Sequence, residues 1–172
     1  MNFKIVLVGD GGVGKSVWLK RHISGQFEPK YIATLGVEVY PINFNTNYGT
    51  ITFNVWDTAG QAKFGGLRDG YYAQAKGFIV FADYTNYYTL NHTKNWTKDV
   101  LRIVNNAPGV LVANKCDIPD NNKKFNVEEL GQMGRELELP MYEISAKTNY
   151  QYEKPFLVLA RQLTGKEDLV FC

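Results

Sequence analysis

The segment at residues 9–16, GDGGVGKS, constrains the fold of this chain more strongly than any other part of the sequence. It matches the pattern G-x-x-x-x-G-K-[ST], in which glycines allow backbone N–H groups to turn toward phosphate oxygens. An apolar run at residues 5–8 precedes it, and a helical pattern begins near Lys15, which is the context that the motif requires. The segment therefore predicts a phosphate-binding loop at a helix N-terminus, in which Lys15 reaches the β- and γ-phosphates and the Ser16 hydroxyl ligates Mg²⁺.

Short apolar runs alternate with helical patterns along the rest of the chain. The runs at residues 5–8, 78–81 and 110–113 are unbroken and rich in β-branched residues, which is typical of parallel strands buried on both faces. Between and after them, residues 96–103 and 156–163 carry apolar side chains at helical spacing. This alternation predicts a doubly wound α/β sheet with helices on both faces, in a single domain over residues 1–172.

One region departs from the alternation and predicts an antiparallel hairpin. Residues 37–44 and 51–56 flank the turn-forming segment Asn47-Tyr48-Gly49, and Pro41 suits the outer, edge strand of such a pair. The complete prediction is a P-loop α/β fold whose six-stranded, mostly parallel sheet has one antiparallel edge strand.

Composition excludes several classes of protein. The net charge of +2 is too small to indicate a nucleic-acid or membrane surface. No apolar run is long enough for a signal peptide or a membrane span, and the two cysteines, Cys116 and Cys172, are interpreted as free thiols of a reducing compartment. We expect a monomer that makes no direct contact with nucleic acid.

A second motif, DTAGQ at residues 57–61, follows the second strand of the predicted hairpin. Ligands of open α/β sheets bind at the carboxyl ends of strands, so Asp57 is predicted to hold Mg²⁺, mainly through a water molecule. The Gly60 N–H is predicted to face the γ-phosphate, and the Gln61 side chain is predicted to orient the attacking water.

A third motif, NKCD at residues 114–117, again follows a predicted strand. The Asp117 carboxylate can accept hydrogen bonds from guanine N1–H and the 2-amino group, whereas adenine offers neither donor. Such a site rejects the wrong base by a factor of about 10⁴. Asn114 is predicted to brace the site, and the stem of Lys115 is predicted to lie along the base plane.

Two further features extend the predicted base site. Residues 145–147, SAK, follow a predicted strand at 141–144, and their backbone N–H groups are predicted to contact guanine O6. Phe27 either stacks on the guanine or ribose edge or is a packing aromatic.

These segments, in this order, resemble the Ras-like small GTPases, and within them the chain is most similar to the Ran family. The similarity to Ran proteins is carried by GVEV at 36–39, NVWDTAGQ at 54–61, FGGLRDGYY at 64–72 and EKPFL at 153–157. The resemblance implies a GTP/GDP switch that uses Mg²⁺ and acts in transport between the nucleus and the cytoplasm. The implied partners are karyopherins of the importin and exportin type, a guanine-nucleotide exchange factor and a GTPase-activating protein.

The resemblance also assigns residues. It implies catalytic roles for Gln61, Lys15 and Tyr31, the last beside the γ-phosphate, and a Mg²⁺ site made by Ser16, Thr34 and Asp57. The nucleotide-binding residues are then Asp10, Gly11, Gly12, Val13, Gly14, Lys15, Ser16, Val17, Phe27, Glu28, Tyr31, Thr34, Gly60, Asn114, Lys115, Asp117, Ser145, Ala146 and Lys147.

Three alternatives remain open from the sequence. A Rab-like vesicle GTPase is favoured by the acidic helical segment at 127–140 and opposed by residues 64–72. A decoy that binds Ran's partners but scarcely cycles is suggested by Ala62, where the family has glutamate, and by the lack of the family's acidic tail after Cys172. A P-loop kinase or ATPase would bind adenine instead. The single terminal cysteine matches no lipidation motif, so we expect no membrane anchor.

Overall fold

The computed structural model of this protein describes residues 1–23, 30–32, 37–58 and 65–172, and at residues 30–32, 58 and 65–68 it describes the backbone alone. Seven strands and five helices occur in this part of the chain. In chain order they are β1 (Asn2–Gly9), α1 (Lys15–Lys20), β2 (Lys30–Ile32), β3 (Val37–Thr46), β4 (Gly49–Thr58), α2 (Gly65–Tyr72), β5 (Gly77–Asp83), α3 (Tyr87–Ile103), β6 (Gly109–Asn114), α4 (Val127–Leu137), β7 (Met141–Glu143) and α5 (Lys154–Thr164).

The strands form one sheet in the order β2-β3-β4-β1-β5-β6-β7. The pairs from β4 through β7 are parallel, and β3 pairs with β4 antiparallel, which confirms the predicted mostly parallel sheet and its hairpin. The sheet has one strand beyond the predicted six, because the three residues of β2 pair antiparallel with the first three of β3. Residues 30–32 were not predicted as a strand because no recognised motif follows them, whereas the equally short β7 is marked by the SAK segment after it.

The burial pattern follows the sequence pattern that predicted it. In β4, Ile51, Phe53 and Val55 are buried while the residues between them are partly exposed. One face of the sheet packs on α1 and α5, where the Phe156 ring stacks on Trp18 and Phe53 with ring centroids 5.2 and 5.4 Å apart. In the central strands β5 and β6 every residue is buried, as expected for strands covered on both faces.

The parallel arrangement brings the carboxyl ends of β1, β4, β5 and β6 to the same edge of the sheet. The segments that begin at Gly9, Asp57, Asp83 and Asn114 therefore converge there, although they are widely separated along the chain. None of the helices in the described ranges is both long and apolar enough to cross a membrane.

Candidate functional site

The loop between β1 and α1 has glycines with positive φ, Gly12 and Gly14, as the predicted phosphate cradle requires. Gly14 precedes the helix with φ 93°, a left-handed conformation that L side chains rarely adopt. A Cβ atom placed on Gly14 would lie 2.3 Å from the side-chain nitrogen of Asn114. The glycine is thus required both by its dihedral angle and by the close approach of the Asn114 side chain.

Lys15 is the first residue of α1, and its side chain folds back over the loop. Its Nζ donates to the carbonyl oxygens of Gly9 (2.8 Å) and Asp10 (2.9 Å). Burial lowers the pKa of Lys15 from its ordinary value, and the nearby charges of Asp57 and Asp10 partly offset that effect. The ammonium is therefore held above the loop by neutral carbonyl groups, which suits a cation that is to meet phosphate oxygens.

Ser16 and Asp57 meet although 41 positions separate them in sequence. The Ser16 hydroxyl donates to Asp57 Oδ2 at 2.5 Å, and Asp57 is only 3% exposed. Burial raises the pKa of Asp57, while the Ser16 hydrogen bond and the charge of Lys15 lower it. The other carboxylate oxygen, Oδ1, is buried and has no hydrogen-bond partner among the described residues.

These groups fit the divalent cation that the sequence predicts. A hydroxyl oxygen and a buried carboxylate with an unpartnered oxygen are the hard oxygen donors that Mg²⁺ prefers, with water and substrate phosphates completing its shell. Ser16 and Asp57 would hold such an ion at the end of β4, beside the Lys15 ammonium.

Asn114, at the end of β6, braces the base half of the predicted site. Its side-chain nitrogen donates to the Val13 carbonyl (3.0 Å), and its Oδ1 accepts from the backbone N–H of Lys115 (2.8 Å) and Ala146 (3.3 Å). Asn114 is 2% exposed. One buried amide thereby connects the phosphate loop, the NKCD segment and the SAK segment.

Asp117 and Ser145 form a second contact between those segments. The Ser145 hydroxyl donates to Asp117 Oδ1 at 2.7 Å, and it also accepts from the Thr148 N–H. The Ser145 N–H is already used, because it donates to the Tyr150 carbonyl. The Ala146 N–H likewise donates to Asn114 Oδ1, so the predicted contact of the SAK amides with guanine O6 is narrowed to the Lys147 N–H.

Lys115 connects the two halves of the site. Its Nζ donates to Asp83 Oδ2 (2.7 Å) and approaches the Gly12 carbonyl at 3.4 Å. Asp83, 4% exposed at the end of β5, also accepts from the N–H and hydroxyl of Thr85. Sequence analysis missed Asp83, although an acidic residue at the end of a buried strand is the same signal that identified Asp57.

Asp10 also has contacts that the sequence analysis missed. Its carboxylate accepts from His92 Nδ1 (2.6 Å) and Trp96 Nε1 (2.9 Å), both on α3. The two donors are four positions apart and lie on one face of that helix, but nothing in the sequence pairs them with residue 10.

The other predicted site residues divide into two groups. Gly11, Gly12 and Val13 lie in the loop, Val17 is exposed on α1, and the Lys147 carbonyl accepts from Arg21. Phe27, Glu28, Thr34, Gly60 and Gln61 lie outside the described residues, and only the backbone of Tyr31 is described, within β2.

Comparison with known families accounts for this arrangement. The sequence model of the Ras family matches residues 4–165, which is nearly the whole chain and includes the phosphate loop and both segments of the base half. The chain therefore belongs to the Ras family, whose members are small GTPases that act as GTP-binding switches.

Proposed function

We propose that this protein binds GTP and GDP with Mg²⁺, hydrolyses GTP, and serves as a Ran-type switch in transport between nucleus and cytoplasm. The observation that supports nucleotide binding best is the Asn114–Val13 hydrogen bond. It holds the group of Lys15, Ser16 and Asp57 next to the Asp117–Ser145 pair. The buried Asn114 side chain thus links the proposed phosphate site to the proposed base site.

The residues of the phosphate half suit phosphoryl transfer. Lys15 contributes positive charge toward the phosphates, and the amides of the loop and of the start of α1 contribute further donors. Mg²⁺ held by Ser16 and Asp57 would neutralise charge that develops on the phosphate oxygens. The sequence alone supplies the two remaining roles of the proposal: Gln61 orients the attacking water, and Thr34 is a further Mg²⁺ ligand.

The base half suits guanine selection. The Ser145 hydroxyl donates to one lone pair of Asp117 Oδ1 and so fixes the carboxylate. The second Oδ1 lone pair and both lone pairs of Oδ2 are left for the base. Because the Ser145 hydroxyl fixes one oxygen of Asp117, binding of guanine would cost little side-chain entropy at this residue.

The anchoring of α2 supports a switch. The Tyr71 hydroxyl lies within hydrogen-bonding distance of the carbonyl oxygens of Leu7 (2.8 Å) and Trp56 (2.5 Å), and Lys4 Nζ donates to Ala73 O (2.7 Å) just beyond the helix. The C-terminal end of α2 is thus fixed to β1 and β4, beside Asp57. Contacts to the γ-phosphate at Gly60 and Gln61 would then act at the opposite end of an anchored helix.

The Ran-type assignment rests on the sequence runs at 36–39, 54–61 and 64–72. We propose karyopherins, an exchange factor and an activating protein as partners, and the nucleus and cytoplasm as the location. The deciding experiment is a pull-down with GTP-loaded Gln61→Leu protein, with the same variant loaded with GDP as the matched control. Karyopherins retained only with GTP support the assignment, whereas retention of vesicle-traffic effectors instead would contradict it.

Hydrolysis is tested separately by single-turnover measurements with and without a Ran-activating protein. Gln61→Leu is expected to keep nucleotide binding and to slow hydrolysis, because it removes the side chain that orients water. If the wild-type protein binds GTP but shows no stimulation at all, it is a decoy that occupies partners without cycling.

A further inference from the structure

The Asp10 side chain lies in a place where a carboxylate is unexpected. Asp10 is the second residue of the phosphate loop, and its own carbonyl accepts from Lys15 Nζ at 2.9 Å. A negative charge beside bound phosphates would repel them, and more strongly in a partly buried site than in bulk water.

Two donors on α3 account for this carboxylate. His92 Nδ1 lies 2.6 Å from Asp10 Oδ2, and Trp96 Nε1 lies 2.9 Å from Asp10 Oδ1, so each oxygen has its own partner. An ionised carboxylate only accepts hydrogen bonds, which places the hydrogen of the His92 ring on Nδ1. The indole N–H is likewise a donor only.

The spacing of His92 and Trp96 along α3 lets both side chains reach Asp10 together. Residues 92 and 96 are one helical turn apart, so both side chains project from the same side of α3 toward the loop. The helix itself is fixed to the sheet by its buried residues Leu90 and Val100 and by the Thr89 hydroxyl, which accepts from the Asp83 N–H at 2.8 Å. The contact therefore ties the phosphate loop to a helix that is already held.

We propose that His92 and Trp96 are positioning residues of the phosphate loop. They draw the Asp10 carboxylate toward α3 and away from the phosphates, and they fix the backbone on which the Asp10 carbonyl contacts Lys15. The inference rests on the proposed nucleotide binding and predicts that loss of either donor accelerates GDP release.

The first experiment measures release of a fluorescent GDP analogue from Mg²⁺-loaded protein. Trp96→Phe removes the indole N–H while keeping an aromatic ring, and His92→Leu removes the ring donor. Hydrogen bonds to charged groups are strong, so each variant is expected to release GDP about 10-fold faster than wild type. Asn91→Ala, an exposed change on the same helix, is the control and is expected to release GDP at the wild-type rate.

A rescue variant of His92 and a double-mutant test of Trp96 with Asp10 distinguish a positioning role of these residues from a role in packing alone. His92→Asn puts an amide N–H near the position of the ring Nδ1 and is expected to restore slow release. In an Asp10→Ala background, Trp96→Phe is expected to have no further effect, because its acceptor is gone. An equal acceleration in both backgrounds would show that the indole acts through packing and would overturn the proposal.

The second experiment needs no nucleotide. Amide hydrogen exchange of residues 10–14 in nucleotide-free protein is expected to be faster in Trp96→Phe and His92→Leu than in wild type and Asn91→Ala. If wild-type protein fails to bind GDP, the proposed function fails, while the exchange result still tests the contact. If wild type binds GDP and both variants match it in release and exchange, only the present inference fails.

Discussion

The two halves of the site reach their geometry in different ways. In the base half, the buried side chains of Asn114 and Ser145 have protein hydrogen-bond partners. Asn114 is bonded to the phosphate loop and to the SAK segment, and Ser145 is bonded to Asp117. In the phosphate half, burial disfavours the ionised forms of Lys15 and Asp57. It therefore lowers the pKa of Lys15 and raises that of Asp57. Asp57 Oδ1 also lacks a partner within the part of the chain that the structure describes.

This difference shows how one protein can combine selectivity with a switch. In the base half, protein hydrogen bonds already position Asn114, Ser145 and Asp117 while Asp117 Oδ2 remains for the base, so the site can discriminate between bases without first rearranging. A phosphate half that holds desolvated charges is stabilised by ligands of opposite charge. Phosphates and Mg²⁺ are therefore expected to control its stability, and the base half is expected to control which nucleotide enters.

The largest effect is expected in the base half. Asp117→Asn replaces one acceptor by an amide N–H, so guanine affinity should fall by about 10³-fold and xanthine nucleotides should be preferred. Asparagine keeps an oxygen for the Ser145 hydroxyl, so the fold is expected to survive. Competition between GDP and XDP measures the change, and unchanged GTP affinity would show that the carboxylate does not select the base.

A smaller loss, without a change of selectivity, is expected from Lys15→Ala. Removing the ammonium should weaken GDP binding by about 100-fold, because charge-assisted contacts to phosphate disappear. The ratio of GDP to ADP affinity should stay the same, since the base half is intact. Lys98→Ala, an exposed change on α3, is the control. A changed GDP/ADP ratio would indicate that the two halves are not separable.

Gly14→Ala is expected to damage both halves together. The alanine would have to adopt φ 93°, and its Cβ would lie 2.3 Å from the side-chain nitrogen of Asn114. The Asn114 side chain would therefore have to move. We expect a loss of about 1–3 kcal/mol in the free energy of unfolding, measured by urea denaturation, together with weaker base selectivity. Gly12→Ala is the matched control, because its φ of 81° brings the same backbone strain with no atom within 4 Å of the Cβ. Equal losses in the two variants would exclude the clash with Asn114.

The smallest effect concerns Asp57 in protein free of nucleotide and Mg²⁺. A carboxyl whose folded pKa is raised is most favourable while protonated, so its contribution to stability is lost as pH rises from its ordinary value of 3.8 through the raised folded value. Asp57→Asn lacks this slope, and its Tm at neutral pH should exceed that of wild type by about 3 °C. Asp120→Asn, at a side chain that is 97% exposed, is the control. A Tm for Asp57→Asn equal to or below that of wild type at neutral pH would contradict the cost assigned to this buried charge.

Prediction from sequence succeeded where a motif is contiguous and attached to a strand end. The phosphate loop, Asp57 and the NKCD segment each follow an apolar run, so their positions at one edge of the sheet followed from the parallel topology. It failed where the signal is short or long-range. No recognised motif follows the three residues of β2, and the partners of Asp10 lie more than 80 positions away on a helix whose rotation is set by packing.

The sequence by itself determined the class of fold, the mostly parallel sheet with its antiparallel hairpin, and the attachment of each motif to the end of a strand, because these depend on local patterning. Only the tertiary structure decided which polar groups satisfy one another: Ser16 with Asp57, Ser145 with Asp117, Lys115 with Asp83, and Asp10 with α3. Those pairings depend on side-chain directions between distant segments, and three of them satisfy a buried polar group, namely Asp57, Ser145 and Asp83.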